Sequence, residues 1–194
     1  MGKPEIKYIT QEEYLTSERL AKEKHEYFEG EIFAMSGASI PHNIIFKNTF
    51  IDLGVKLKGK GCQPFGSDLR IFIPENTLYT YPDISIICGE VETTDDKFDT
   101  ATNPTVIIEI LSKSTGGYDK GDKFALYRSI TSFKEYILID SRRVLVEKYT
   151  RNNDNSWQLT EYRNLDMTFK IASISEELKL SDIYKGIKFD LQSI

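Results

Sequence analysis

The segment TVIIEIL, residues 105–111, constrains the chain more than any other. Every residue from Val106 to Leu111 except Glu109 is apolar, and several are β-branched. A run this short and this apolar reads as a central strand buried on both faces, which needs strand neighbours and cover above and below. The flanking sequence offers them. Upstream, SDLRIFIP alternates, with Leu69, Ile71 and Ile73 on one face, and YPDISIIC starts at a proline and turns apolar. Downstream, DKFALYRSI reads as a helix and KEYILID as another strand. Strand, helix, strand at this spacing is a crossover unit, so TVIIEIL and EYILID are expected to be parallel neighbours.

The remaining segments fit one α/β domain over residues 1–194, with a mixed sheet flanked by helices. Thr10 to Glu13 has capping-box spacing and opens a short helix. KHEYFEGEIFAMSG reads as two strands around Glu29-Gly30. From Pro41, the apolar residues Ile45, Phe46, Phe50, Leu53 and Leu57 recur at helical spacing, and Gly59 and Gly61 end that helix. GEVETTDDKFDTATNP is an acidic, polar loop, and SKSTGGYDKG is a loop rich in Gly and Ser. RRVLVEKYT and SWQLTEYRN form a hairpin around residues 152–155, and SEELKLSDIYKGI closes with a short helix.

Composition removes several classes. No apolar run approaches the roughly 18 residues that span a bilayer, and MGKPEIKYITQEEYL lacks a signal-peptide core, so a cytoplasmic protein is expected. Cys62 and Cys88 form no CxxC pair and read as free thiols. With only two histidines, His25 and His42, a zinc site has too few ligands, and any metal falls to carboxylates, which favour hard ions such as Mg²⁺. The net charge of −5 weighs against a protein that only grips DNA, but acidic metal ligands lower net charge by themselves.

Glu109 is the residue that demands a partner, because a lone buried carboxylate is costly. A structural ion pair would satisfy it. So would a cation shared with Asp83, which starts the neighbouring strand after Pro82. Asp68 is a third acid at a strand start and either supports such a site or caps a turn. Residue 111 shares the face of Glu109 and would be the natural place for a charge-balancing amine, yet it is Leu111. Lys123 is the alternative donor, one turn from Tyr127 on the helix face that Ile130 continues. Lys120 is its rival, and a snorkelling surface lysine is the plain alternative for either.

In order and spacing, ITQEEYL, KHEYFEGEIFAMSGAS, PHN, SDLRIFI, TYPDISIIC, VIIEILSKST, YDKGDKFALYRS, FKEYILID and EELKLSDIY resemble the Uma-type endonuclease family of the PD-(D/E)XK nuclease superfamily. The resemblance implies a restriction-endonuclease-like fold with an αβββαβ core. It implies that Asp83 is the acid of the Pro-Asp motif and Glu109 the acid of the Glu-x-Lys motif. It gives Lys123 the role of the lysine missing at Leu111. It also implies supporting positions at Glu26 and His42. Asp83, Glu109 and the carbonyl of Ile110 would bind Mg²⁺, with Mn²⁺ as a substitute, and Lys123 would position water for cleavage of DNA. Two alternatives remain: a relative that binds DNA without efficient cleavage, through lysines such as Lys56, Lys58 and Lys60, and a protein-interaction module with structural acids. A two-fold homodimer is the expected assembly.

Overall fold

The computed structural model describes residues 8–112 and 116–189. In chain order the elements are α1 (Gln11–Glu18), β1 (His25–Phe28), β2 (Glu31–Ala34), α2 (Ile40–Leu57), β3 (Cys62–Gly66), β4 (Arg70–Ile73), β5 (Leu78–Thr80), β6 (Ile84–Cys88), β7 (Thr100–Ala101) and β8 (Val106–Leu111). Then follow α3 (Gly116–Tyr118), a π-helical turn (Asp119–Lys123), α4 (Phe124–Tyr127), β9 (Glu135–Asp140), β10 (Val146–Arg151), β11 (Trp157–Tyr162), β12 (Thr168–Ile171), β13 (Glu176–Lys179) and α5 (Leu180–Ile183). The start of the chain and residues 113–115 of the Gly- and Ser-rich loop lie outside the described residues.

A six-stranded sheet runs β11-β10-β9-β8-β6-β3, and a five-stranded sheet runs β2-β1-β5-β4-β7. β8, the TVIIEIL strand, is buried at every position. It pairs in parallel with β9, Glu109 opposite Leu138, and antiparallel with β6, Ile84 opposite Ile108. The order α2, β3, β6, β8, helical turns, β9 is the αβββαβ core. Its membership differs in one strand from the expected set. SDLRIFIP forms β4, but in the second sheet, between β5 and β7. The third core strand is β3, which carries Pro64 and was not legible as a strand. Proline is tolerated there because β3 is an edge.

Alternation along β8 divides the interior. Val106, Ile108 and Ile110 pack with Ile45, Leu53 and Leu57 of α2. Ile107 and Leu111 pack with Phe124, Tyr127, Ile71 and Ile73. Glu109 shares the second face, so α4 and the five-stranded sheet enclose it.

Three expectations change. Cys62 and Cys88 are not free: β3 and β6 set them directly opposite, and they form a disulfide with S–S 2.09 Å. Their separation of 26 residues concealed a pairing that only strand register creates. The helix read from DKFALYRSI is a π turn before it becomes α4. The closing helix is only Leu180–Ile183, because EELK is a strand paired with β12. The capping box at Thr10 and Glu13, the β1–β2 pair and the β10–β11 hairpin are present as expected. Among the described residues, no helix is long and apolar enough to cross a membrane.

Candidate active site

Three pieces of local structure converge on one place. The first is the β1–β2 hairpin, whose turn residues Glu29 and Gly30 both have positive φ, +48° and +91°. That is the backbone a two-residue hairpin turn of this hand requires. It sets Glu26 opposite Phe33. The second is the junction of β6 and β8. The Ile110 N–H donates to Asp83 Oδ2 at 2.7 Å, and the Asp83 N–H donates to Glu109 Oε2 at 3.2 Å. The two acids are thus fixed by each other's strands and lie on one side. The third is the π turn, which carries Asp119 and Lys123 inward together. Such turns occur mostly as single insertions in helices, often at functional sites.

Lys123 is almost fully buried. Its Nζ lies 3.0 Å from Glu109 Oε1, 3.0 Å from Glu26 Oε1 and 3.8 Å from Asp119 Oδ1. Tyr127 donates its hydroxyl to Glu109 Oε1 at 3.0 Å. Thr80 donates to Glu26. His42, in the first turns of α2, places Nε2 3.1 Å from Asp83 Oδ2. Glu109 Oε1 is therefore saturated by Lys123 and Tyr127, and Asp83 Oδ2 by Ile110 and His42. Asp83 Oδ1 takes no hydrogen bond among the described residues.

These groups border a cleft of about 690 Å³. Glu23, Glu26, Asp83, Glu109 and Asp119 line it, against Lys24 and Lys123 as the cationic side chains. Burial pushes the Glu109 carboxyl up to about 8 in spite of Lys123, and Asp119 and Asp83 push it the same way. Burial opposes the charge on Lys123, but Glu109, Tyr127, Glu26 and Asp119 hold the ammonium well above its ordinary value. The excess of acid is what a bound cation would relieve. No three His, Cys, Asp or Glu side chains form a ready cage among the described residues. One or two carboxylates with waters and substrate phosphate are the usual Mg²⁺ set, so Asp83 and Glu109 fit a hard, largely hydrated ion.

Two expected residues lie elsewhere. The Asp68 side chain is 97% exposed, pairs with Lys24 at 2.6 Å and does not line the cleft. Lys120, one residue into the π turn, pairs with Glu147 of β10. Two of the three lysines at the end of α2 are also taken: Lys56 pairs with Asp52 at 2.7 Å and Lys60 with Glu176 at 2.6 Å, while Lys58 is exposed. Asp119, Lys24 and Thr80 were not singled out from sequence. Only Asp119 carried a signal, its four-residue spacing to Lys123.

Comparison with known proteins gives the family and the fold. Residues 11–182 match the Uma2 family, described as "Putative restriction endonuclease". Two uncharacterised proteins of Synechocystis sp. are similar over most of their length. For sll1609 the identity is 39% over 170 residues, 87% of this chain and 96% of that protein. For slr1290 it is 35% over 181 residues, 93% and 94%. A crystal structure from Anabaena variabilis, described as a "putative nuclease belonging to DUF820", superposes with a TM-score of 0.74 at 19% identity. That match covers 91% of this chain and 97% of the other. At that identity it shows a common fold. The family match spans α1 to α5, and on it the chain belongs to the Uma2 family of restriction-endonuclease-like proteins.

Proposed function

We propose that this protein is an endodeoxyribonuclease that hydrolyses phosphodiester bonds in DNA with Mg²⁺ held by Asp83 and Glu109. The observation that carries the reading is the buried Lys123. A structural ion pair needs one acid, yet Glu26, Glu109 and Asp119 all approach this ammonium, and Asp83 adjoins them at the cleft. Such an arrangement leaves negative charge beside an open cleft.

A bound Mg²⁺, or Mn²⁺ in its place, would act as a Lewis acid and neutralise charge on the scissile phosphate. The chain's own groups have distinct parts. Asp83 and Glu109, with the Ile110 carbonyl, would hold the ion. His42 and Tyr127 fix the orientation of those two carboxylates. Lys123 donates to the attacking water and to charge that develops on the phosphate. The amine thus comes from the helical turn, where Leu111 offers none. Water oxygen bonds to phosphorus and releases a proton to solvent, the bond to the leaving sugar oxygen breaks, and that oxygen gains a proton from solvent.

Plasmid cleavage with Mg²⁺ or Mn²⁺, beside Asp83→Ala, tests the reading. The parent should cut the plasmid or a single-stranded oligonucleotide and the variant should cut neither; a parent that binds DNA and cuts neither overturns the nuclease reading. A two-fold dimer and a cytoplasmic location belong to the same proposal. Light scattering at micromolar concentration checks the first. Fractionation of cells that express the tagged protein checks the second.

A further inference from the structure

The cleft has an aromatic wall that hydrolysis itself does not use. Phe33 and Tyr118 are 47% and 40% exposed, and both line the cleft, with Met35 and Phe46 nearby on its surface. Phe33 is the cross-strand partner of Glu26. Such partners hold their Cβ atoms about 4.5–5.5 Å apart on one face of the ribbon. Glu26 is itself 3.0 Å from Lys123 Nζ. Tyr118 immediately precedes the π turn; burial is the largest influence on its hydroxyl, and the charges of Glu26, Lys123, Asp119 and Asp122 also act on it. Two open aromatic rings therefore adjoin the acid–lysine centre, one on β2 and one before the π turn.

Duplex DNA hides its base faces and presents phosphates, which call for a basic track. The cleft is acidic, the chain carries a net charge of −5, and two of the three lysines that end α2, Lys56 and Lys60, are paired with acids. About 690 Å³ is the size of a small-ligand pocket. It has room for a few nucleotides. An unpaired strand offers base faces, and stacking on exposed aromatic rings is the sequence-tolerant way to hold it.

We infer that the substrate is an unpaired DNA strand, with bases stacked on Phe33 and Tyr118 and the phosphodiester set over Asp83 and Glu109. This rests on the nuclease reading for its chemistry, but its binding prediction stands separately. A single strand needs no two-fold partner subunit.

The test measures fluorescence anisotropy of a fluorescein-labelled oligo-dT strand and a hairpin duplex of equal length, in Ca²⁺. The strand should bind at least about tenfold more tightly. Phe33→Ala should weaken strand binding about tenfold or more, and Phe33→Trp should restore it. A 2-aminopurine in the strand should be quenched by the parent and not by Phe33→Ala. Tyr118→Ala gives a second variant, and thermal melting verifies that each is folded. Duplex binding equal to strand binding, or Phe33→Ala and Tyr118→Ala binding like the parent, overturns the inference. Phe33-dependent strand binding without cleavage in Mg²⁺ or Mn²⁺ supports it and overturns the nuclease reading alone.

Discussion

Glu109 and Glu135 lie on the adjacent parallel strands β8 and β9, both nearly fully buried and both facing a lysine. Their surroundings differ. Glu135 accepts from the Ala172 N–H at 3.2 Å, the Ser173 N–H at 2.8 Å, the Ser173 hydroxyl at 2.6 Å and Lys148 at 3.4 Å. Lys148 also donates to the Lys170 carbonyl. These bonds tie β9 to the β12–β13 region. Glu109 shares its lysine with Glu26 and Asp119, and it borders a cleft. A buried carboxylate whose oxygens are filled by backbone amides is a fastening. One that shares its cation with other acids leaves negative charge that the proposed metal would offset. Burial and a lysine partner do not separate the two cases; the count of acids and donors does.

The sharpest way to break this comparison is to remove each acid. Glu135→Ala should cost about 3–5 kcal/mol in urea unfolding, because it strands Lys148 and the amides of Ala172 and Ser173. The molecules that remain folded should still cleave. Glu109→Gln should do the reverse, abolishing cleavage with little loss of stability, since Glu26 and Asp119 still neutralise Lys123. Exchange of those outcomes would mean that the site has been assigned to the wrong acid.

Lys123→Ala comes next. Loss of one preorganised donor costs about 2.7–4 kcal/mol, or about 10²–10³ in rate. Single-turnover kinetics should show that loss, with metal affinity by calorimetry nearly retained. Lys120→Ala serves as its control. In its pair with Glu147 the lysine is 35% exposed and the acid 10%, so loss of the pair should cost stability and leave cleavage near that of the parent. A large rate loss from Lys120→Ala would exchange the roles of the two lysines.

The smallest effect belongs to a third, more open cluster. Asp99 meets Arg19 at 2.7 Å and Arg70 at 3.0 Å. The Arg19 hydrogen bond, with Thr100 and Arg70, holds its carboxyl well below the usual range despite some desolvation. A depressed acid stabilises the fold above its unfolded value, near 3.9, and that contribution is lost as pH falls through the lower folded value. Acid unfolding of Asp99→Asn should differ from the parent by less than about 1 kcal/mol, with the difference narrowing below pH ~4.

The sequence by itself determined the parts that local patterning controls. The β-branched run of TVIIEIL specified a central strand, the spacing to EYILID specified a parallel crossover, and Thr10 with Glu13 specified a helix start. Glu109 was visible because one charge in an apolar strand breaks the pattern, and Asp83 because it opens the neighbouring strand. Only the tertiary structure decided what depends on distant partners. Strand register joined Cys62 to Cys88, and pairing sent SDLRIFIP to the second sheet. Side-chain direction turned Lys120 toward Glu147 and Asp68 to solvent, while the π turn buried Lys123 between Glu26 and Glu109. Periodicity encodes which face a residue occupies, but a contact forms only when two separately patterned elements dock. That docking is a property of the packed chain and not of any segment.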